Sequence, residues 1–376
     1  MRVSLSYTTV EVAAAGGIFD GISHYTYQLA EGLERRGSEV VRYSFTKPLA
    51  RMNAGLRLSR PIVGGFEFLG SVGIVSRGAA KLFSPDADLF HSTDFKVVPA
   101  KCPVVATIWD AIPLVHPEWI AARSRFLAPF VIRRVAHFAD RIICASEHSA
   151  HDLVRHFGIS ARAISVVPWG IDPNWLDPVP QAEVESTLRK YGLVPGFILT
   201  VGTIQPRKNI GRLLEAYAQL PISMRNDHRL VVVGREGWNS EREVAQLKEL
   251  VSTGRAAWLN EGPSDRELRS IYQAAHVFVF PSLYEGFGIP LLEAFASSVP
   301  AITSKATSLP EVSAGAAREV DPLSVNEMSS AISALLRSSS EREERRRLGR
   351  TRAEHLSIGE AVGRTMEVYR SVVAGQ

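Results

Sequence analysis

The sequence predicts an α/β protein built from two Rossmann-like doubly wound domains facing across a cleft. Three observations point there: a length of 376 residues, β-rich runs alternating with helical patterns throughout, and a Pro-rich stretch splitting that alternation into two similar halves.

The first half opens with Val3-Ser4-Leu5-Ser6-Tyr7, a strand that begins at once, with no signal-peptide architecture ahead of it. A Gly-bearing loop, Gly16 to Gly21, leads into a helix from about Ser23 to Arg36 that stops at Gly37. Further strands are expected at Glu39–Tyr43, Leu89–His91, Val104–Thr107, Arg141–Ala145 and Ile164–Val167. Between the last two, Ser146 caps a helix that Gly158 stops. Pro168-Trp169-Gly170-Ile171-Asp172-Pro173 and Asp177-Pro178-Val179-Pro180 then read as the linker, giving domains 1–177 and 178–355. The second series has strands at Phe197–Gly202, Leu230–Gly234 and Val277–Phe280, with helices from Ile210 to Leu220 and near Pro290 to Ser297. The charged run Ser338–Arg347 reads as a solvated helical face. Ala361, Val362, Met366, Val368 and Tyr369 keep an apolar stripe through a last helix.

Composition narrows the class. With 45% hydrophobic and 22% charged residues, the chain is neither disordered nor collagen-like. Its two cysteines, Cys102 and Cys144, lack metal-type spacing and suit a reducing cytosol. The most apolar run, Pro61 to Ser76, falls short of the roughly 20 apolar residues a bilayer span needs. The net charge of +4 is mild, but Arg42, Lys47, Arg51, Arg57, Arg60, Arg77 and Lys81 face the single acid Glu67. That stretch reads either as basic stems lying over their own apolar surface or as a surface meeting anionic lipid headgroups. Nucleic acid ranks last, because no recognition module accompanies the charge.

Chemistry is expected beyond the carboxyl ends of the strands, where doubly wound sheets bind ligands. Residues Pro281 to Ser304 leave a strand, turn through Gly286, Phe287 and Gly288, and enter a helix at Pro290. The helix start offers N–H groups to an anion, and Glu285 and Glu293 supply carboxylates suited to sugar hydroxyls. Arg207 and Lys208 end a second strand-to-helix loop, with Asn209 as N-cap; a planar fork beside a point charge suits a diphosphate. The N-terminal glycine loop does not spell G-x-G-x-x-G, which argues against hydride transfer. Asp86-Ala87-Asp88 reads as a turn rather than a metal motif, and His91 and His116 as structural more readily than catalytic.

Together these segments resemble the glycosyltransferase family 4 enzymes, retaining transferases of GT-B fold. The Glu-x7-Glu pattern in YEGFGIPLLEA, the Arg207-Lys208-Asn209 loop, SLPEV at Ser308 to Val312, and WGID at Trp169 to Asp172 carry the resemblance. It implies that Glu293 binds the donor ribose, Glu285 meets donor-sugar hydroxyls, and Arg207 with Lys208 neutralises the diphosphate. It implies further that Gly286, Phe287 and Gly288 line the donor pocket, that Gly17 or Gly21 closes it, and that helix 356–376 returns to the first domain. Where many relatives read Thr-x-His-Asp, this chain has Thr107-Ile108-Trp109-Asp110, leaving Asp110 as the polar candidate beside the acceptor. The expected function is therefore a retaining, metal-independent hexosyltransferase without a cofactor, moving mannose from GDP-mannose to a lipid-linked oligosaccharide or polysaccharide. It would work in the cytoplasm with peripheral contact at the inner membrane and no nucleic-acid partner. The alternatives are a UDP-sugar transferase and a two-lobed sugar- or nucleotide-sugar-binding protein without transferase activity.

Overall fold

The computed structural model describes residues 1–14, 20–44, 60–61, 85–94, 100–120 and 138–375. The chain divides into two units: Met1–Pro168 with Ile358–Gln376, and Trp169–Ser357. Sequence expectation put the division at 177/178 and 355/356, and the difference has a physical reason. Trp169, Ile171 and Val179 are buried, and Ile171 N donates to Leu356 O at 2.7 Å. The Pro-rich stretch is thus packed into the second unit rather than left as a free linker.

In the first unit a seven-stranded, wholly parallel sheet runs in the order β3-β2-β1-β4-β5-β6-β7. Its strands are β1 (Arg2–Ser6), β2 (Glu39–Ser44), β3 (Arg60–Pro61), β4 (Leu89–Ser92), β5 (Val104–Thr107), β6 (Arg141–Cys144) and β7 (Ile164–Val166). Buried on both faces, β5 reads as a continuous apolar run closed by Thr107, and β4 as Leu89 and Phe90 followed by the buried polar pair His91 and Ser92. Helix Gly21–Arg35 is capped by Asp20, whose carboxylate accepts from Ser23 N at 2.9 Å. Helix Glu147–Phe157 starts on the Ser146 side chain and ends at left-handed Gly158. Arg42, the one residue of the basic stretch with a described side chain, is buried and bonded to Glu34 by two guanidinium nitrogens. Asp86 and Asp88 are both engaged by Arg2, a turn contact that fastens the start of β1. Residues 45–59 and 62–84 lie outside the described residues.

The terminal helix Ile358–Val373 belongs to this unit and buries Ala361, Val362, Met366 and Tyr369 along one face. Val362 fits where helix Gly21–Arg35 carries Gly32; a Cβ there would come within 2.6 Å of Val362 Cγ2. Tyr369 Oη meets His91 Nδ1 at 2.6 Å, and His91 Nε2 meets Thr107 Oγ1 at 2.9 Å.

The second unit holds a six-stranded parallel sheet in the order β10-β9-β8-β11-β12-β13. Its strands are β8 (Ile198–Val201), β9 (Leu230–Val233), β10 (Ala256–Leu259), β11 (Val277–Phe280), β12 (Ala301–Ser304) and β13 (Arg318–Val320). This is the Rossmann order, and the direction of winding reverses between β8 and β11. Helix Ile210–Ala218 buries Ile210, Leu213, Leu214 and Tyr217, the spacing of one helical face, into the core of this unit. The charged run Ser338–Arg347 lies in helix Ser339–His355 and is at least partly exposed along its length, while arginines of that helix also bond carbonyls. Arg342, Arg345, Arg350 and Arg352 donate to carbonyls of Leu335, Gly315, Ala296 and Val312, which satisfies segment ends that would otherwise lack donors.

Candidate functional site

The switch point of the second sheet gathers residues distant in sequence. After β8, the chain turns at Gly202 (φ 143°) and makes a single 3-10 turn, Pro206–Lys208, that presents Arg207 and Lys208. After β11, Pro281–Gly288 carries Glu285. Arg207 Nη1 donates to Glu285 Oε2 at 2.7 Å, and Lys208 Nζ to Glu285 Oε1 at 2.7 Å. The two loops are also joined through main chain, Leu283 N to Arg207 O at 2.7 Å. Lys208 Nζ sits 4.6 Å from the centroid of the Phe280 ring, a cation–π contact.

Burial sets the electrostatics. It would raise the Glu285 carboxyl, but the charges of Arg207 and Lys208 and the Lys208 hydrogen bond hold it at about 2. Burial pulls the Lys208 amine down to about 8, against the attraction of Glu285. At neutral pH the Arg207–Glu285–Lys208 trio therefore holds two cations and one carboxylate, a net positive cluster.

Glu293 lies in helix Ile289–Ala296, which begins after Gly288 with Pro290 in its first turn. Gly288 is required twice over: φ is 114°, and a Cβ would fall 2.7 Å from Leu309 Cδ2. Glu293 Oε2 accepts from Tyr272 Oη at 2.9 Å, and burial pushes its carboxyl up to about 7. Lys208 acts on both Glu285 and Glu293, so the two carboxylates share one electrostatic neighbourhood. Phe287 is buried, and Gly286 is half-buried beside it. The loop is pinned from behind: Thr307 Oγ1 accepts from Glu285 N at 3.1 Å, and Ser308 Oγ reaches Glu285 O and Phe287 O at 2.8 and 3.0 Å.

Asn209 departs from expectation. It occupies the N-cap position in the left-handed region (φ 59°), but its side chain makes no cap bond. Instead Nδ2 donates to Pro281 O at 3.0 Å and Pro322 O at 2.7 Å, tying together three loops at the carboxyl end of the sheet.

In the first unit, Asp110 follows β5 and accepts from Ile112 N at 3.0 Å. Trp109, beside it, packs edge-on to Tyr25 with ring centroids 4.5 Å apart and donates to Thr93 O. His91 is wholly buried with both ring nitrogens bonded, and burial lowers its value to about 3, so it stays neutral and structural. His116 stacks on Trp119 at 3.7 Å and meets Glu118. Gly21 opens helix Gly21–Arg35 with nothing within 4 Å of the position a Cβ would take. Gly17 lies outside the described residues.

Sequence reasoning missed four supports. Tyr272 holds Glu293, and Thr307 fixes the Glu285 backbone. Gly202 leaves room for Lys208, whose Cε would lie 3.1 Å from a Cβ there, and Gly234 lets the neighbouring loop approach Gly202 O. A glycine directly after each apolar strand, Val201-Gly202 and Val233-Gly234, was the available signal for the last two.

A doubly wound parallel sheet with paired cations, a glycine turn and a helix start gathered at its switch point defines the class of this unit: a Rossmann-like α/β fold. The chain belongs to the glycosyltransferases: the pattern of glycosyl transferases group 1 matches residues 189–354, and that of Glycosyltransferase Family 4 matches residues 19–175. It is 35% identical over 287 residues to an O-antigen chain mannosyltransferase B of Escherichia coli, spanning 75% of this chain and 74% of that protein. It is 31% identical over 288 residues to an MMP alpha-(1->4)-mannosyltransferase of Mycolicibacterium hassiacum, spanning 72% of this chain and 66% of that protein. In fold it is similar to a sucrose-phosphate synthase of Thermosynechococcus elongatus, with a TM-score of 0.75 at 21% identity, all of both chains being covered. A second fold match is WaaG, a glycosyltransferase of lipopolysaccharide biosynthesis, with a TM-score of 0.72 at 18% identity over 98% of this chain and 99% of that one. The protein is a glycosyltransferase of GT-B fold. Among the described residues no helix is long and apolar enough to cross a membrane.

Proposed function

We propose that this glycosyltransferase moves mannose, with retention, from GDP-mannose to a lipid-linked or polysaccharide acceptor. The observation that carries the reading is the Arg207–Glu285–Lys208 cluster at the sheet switch point; the mannosyltransferase names of the relatives support the sugar. Arg207, Lys208 and the start of helix Ile289–Ala296 would grip the diphosphate, Glu293 the ribose, and Glu285 the sugar hydroxyls. Gly286, Phe287 and Gly288 would line that pocket, and Gly17 or Gly21 would contact the donor.

Transfer breaks the bond from the anomeric carbon to the phosphate oxygen, and its electron pair leaves with the nucleoside diphosphate. Negative charge grows on that leaving group, where the two cations stabilise it most as the bond opens. The acceptor oxygen bonds the anomeric carbon on the same face, and its proton passes to the departing phosphate oxygen. Asp110 would orient the acceptor hydroxyl. In this reading the positive charge comes from Arg207 and Lys208, with neither a metal nor a cofactor. The setting proposed is cytoplasmic, peripheral to the inner membrane, in the assembly of a surface polysaccharide.

The test is a thermal-shift screen across GDP-mannose, UDP-glucose and dTDP-glucose, followed by donor hydrolysis without acceptor. Stabilisation by GDP-mannose with slow release of mannose supports the proposal. Preference for UDP-glucose would overturn the donor, and binding without turnover would favour a receptor. Glu293→Ala should weaken donor binding, whereas Lys208→Ala should chiefly slow transfer; unchanged kinetics in both would remove the assigned roles.

A further inference from the structure

Beyond the residues already assigned, the geometry points to Tyr272 as the positioning residue that holds Glu293 for the donor ribose and couples donor binding to release of a proton. The inference rests on the reading of Glu293 as the ribose-binding carboxylate. Tyr272 lies on helix Asp265–Ala274, which starts with a full capping box between Ser264 and Glu267. The side chain is completely buried, its ring edge-on to Trp175 at 5.6 Å and tilted against Phe278 at 5.4 Å. Packing of that kind leaves the phenol little freedom to turn.

The hydroxyl lies 2.9 Å from Glu293 Oε2 and 3.2 Å from Pro290 O. It carries one proton, so it donates to one of these acceptors at a time. When Glu293 is ionised, the phenol donates to the carboxylate. When Glu293 is protonated, the carboxyl can donate to the phenol oxygen, and the phenol to the Pro290 carbonyl in the first turn of the same helix. One set of atoms therefore offers two satisfied arrangements that differ by a proton. Among the described residues, Glu293 Oε1 carries no protein hydrogen bond, which leaves that oxygen to a ligand hydroxyl.

The charged groups acting on Glu293 come from two elements: Asp265, on the helix of Tyr272, and Lys208, in the loop after β8. Other elements packed on helix Ile289–Ala296 meet it differently. Helix Ser339–His355 sets Gly349 against Phe295 and sends Arg350 to the Leu176 and Ala296 carbonyls, while Leu309 lies against Gly288. Burial raises the carboxyl to about 7, Tyr272 and Lys208 pull it down, and Asp265 pushes it up. A ribose diol donates to an ionised carboxylate far better than to a neutral acid, so the donor selects the deprotonated state.

Calorimetric titration of the full chain with GDP-mannose, and in parallel with UDP-glucose, between pH 5.5 and 9 tests this. Both probes carry the same ribose, and their pyrophosphate diesters stay ionised over that range. Affinity should fall about tenfold per pH unit below the Glu293 midpoint. Titrations of the parent at pH 7 in two buffers of different ionisation enthalpy should show net proton release; none would overturn the inference. Tyr272→Phe keeps the ring and removes the bond, and should move the acid midpoint up by about one pH unit. Glu293→Gln should abolish the acid limb. If Glu293→Gln binds like the parent with the limb intact, the ribose reading itself fails. If Glu293→Gln loses the limb while Tyr272→Phe keeps the parental midpoint, the role of Tyr272 falls and the ribose reading stands.

Discussion

Lys208 Nζ lies 2.7 Å from Glu285 Oε1, joining residues 77 positions apart across the point where the second sheet reverses its winding. The contact exists because β8 and β11 are neighbours in the parallel sheet and both loops leave its carboxyl edge. With Arg207 on the other carboxylate oxygen, one acid holds two cations in place. Arranging the charges in advance means they need not reorganise as the leaving group departs.

Removing the acid from this cluster should separate its structural role from its catalytic one. Glu285→Gln leaves two adjacent cations, one of them buried, and should cost about 2–3 kcal/mol, moderated by loss of the Lys208 proton. Urea denaturation at pH 7 measures the cost. GDP would restore negative charge beside the cations, so it should raise the melting temperature of the variant more than that of the parent. An equal rise in both would mean that the diphosphate binds elsewhere.

The glycines of the second unit are expected to divide sharply from Gly21. A Cβ on Gly234 would come within 2.1 Å of Gly202 O, with φ at 147°, so Gly234→Ala should be severely destabilising or fail to fold. Gly202→Ala should lose about 1–3 kcal/mol from backbone strain and displace Lys208, reducing donor affinity as well. By contrast, Gly21→Ala fits a helical position with open space around it and should leave stability unchanged or improved. Any loss of activity in Gly21→Ala then reports on ligand contact alone, which thermal melts beside a transfer assay would reveal.

Much of this site could be read from residue order, because loops after apolar strands and glycines before a helix are local features. Arg207, Lys208, Glu285 and Glu293 were found that way, as was the Rossmann-like character of both halves. What escaped was set by packing across the chain. Tyr272 looks like an ordinary core aromatic until the fold brings it to Glu293. Asn209 looks like an N-cap until its amide is seen to bind Pro281 and Pro322 carbonyls. The division near Pro168 was hidden because proline spacing suggests an exposed linker, whereas Trp169 and Ile171 had a core to enter. The solvated face read over Ser338–Arg347 is exposed or half-exposed in the fold, and what residue order did not show is that Arg342 and Arg345 also serve the carbonyls of Leu335 and Gly315.

Glu293 should trade stability for ligand affinity. Its folded value of about 7 exceeds the ordinary 4.5, so the folded state holds the proton more tightly than the unfolded one. The stability this contributes is full below pH 4.5 and is lost as pH rises through about 7. At pH 8 the buried carboxylate then costs on the order of 1–3 kcal/mol. Glu293→Gln should therefore melt higher than the parent at pH 8 and close to it at pH 5, while binding donor less well. A uniform difference at both pH values would show that the carboxyl is not the titrating group.

His91 governs the opposite pH window in the first unit. Its folded value of about 3 lies below the ordinary 6.5, because burial excludes the imidazolium. Between those values the unfolded chain binds the extra proton, so stability from this group is present above pH 6.5 and is lost as pH falls toward 3. The size is on the order of 2–4 kcal/mol. His91 also anchors Tyr369 of the terminal helix, whose hydroxyl lies 2.6 Å from Nδ1. His91→Asn should flatten the acid dependence of unfolding and free the terminal helix, raising hydrogen exchange over residues 358–373. Tyr369→Phe should raise the same exchange and leave the acid dependence largely in place, since the imidazole stays buried against Thr107. Hydrogen exchange at pH 7 with urea melts from pH 4 to 7 distinguishes the two variants. If Tyr369→Phe left exchange in the terminal helix at the parental rate, the docking would rest on the apolar stripe of Ala361, Val362 and Met366 alone.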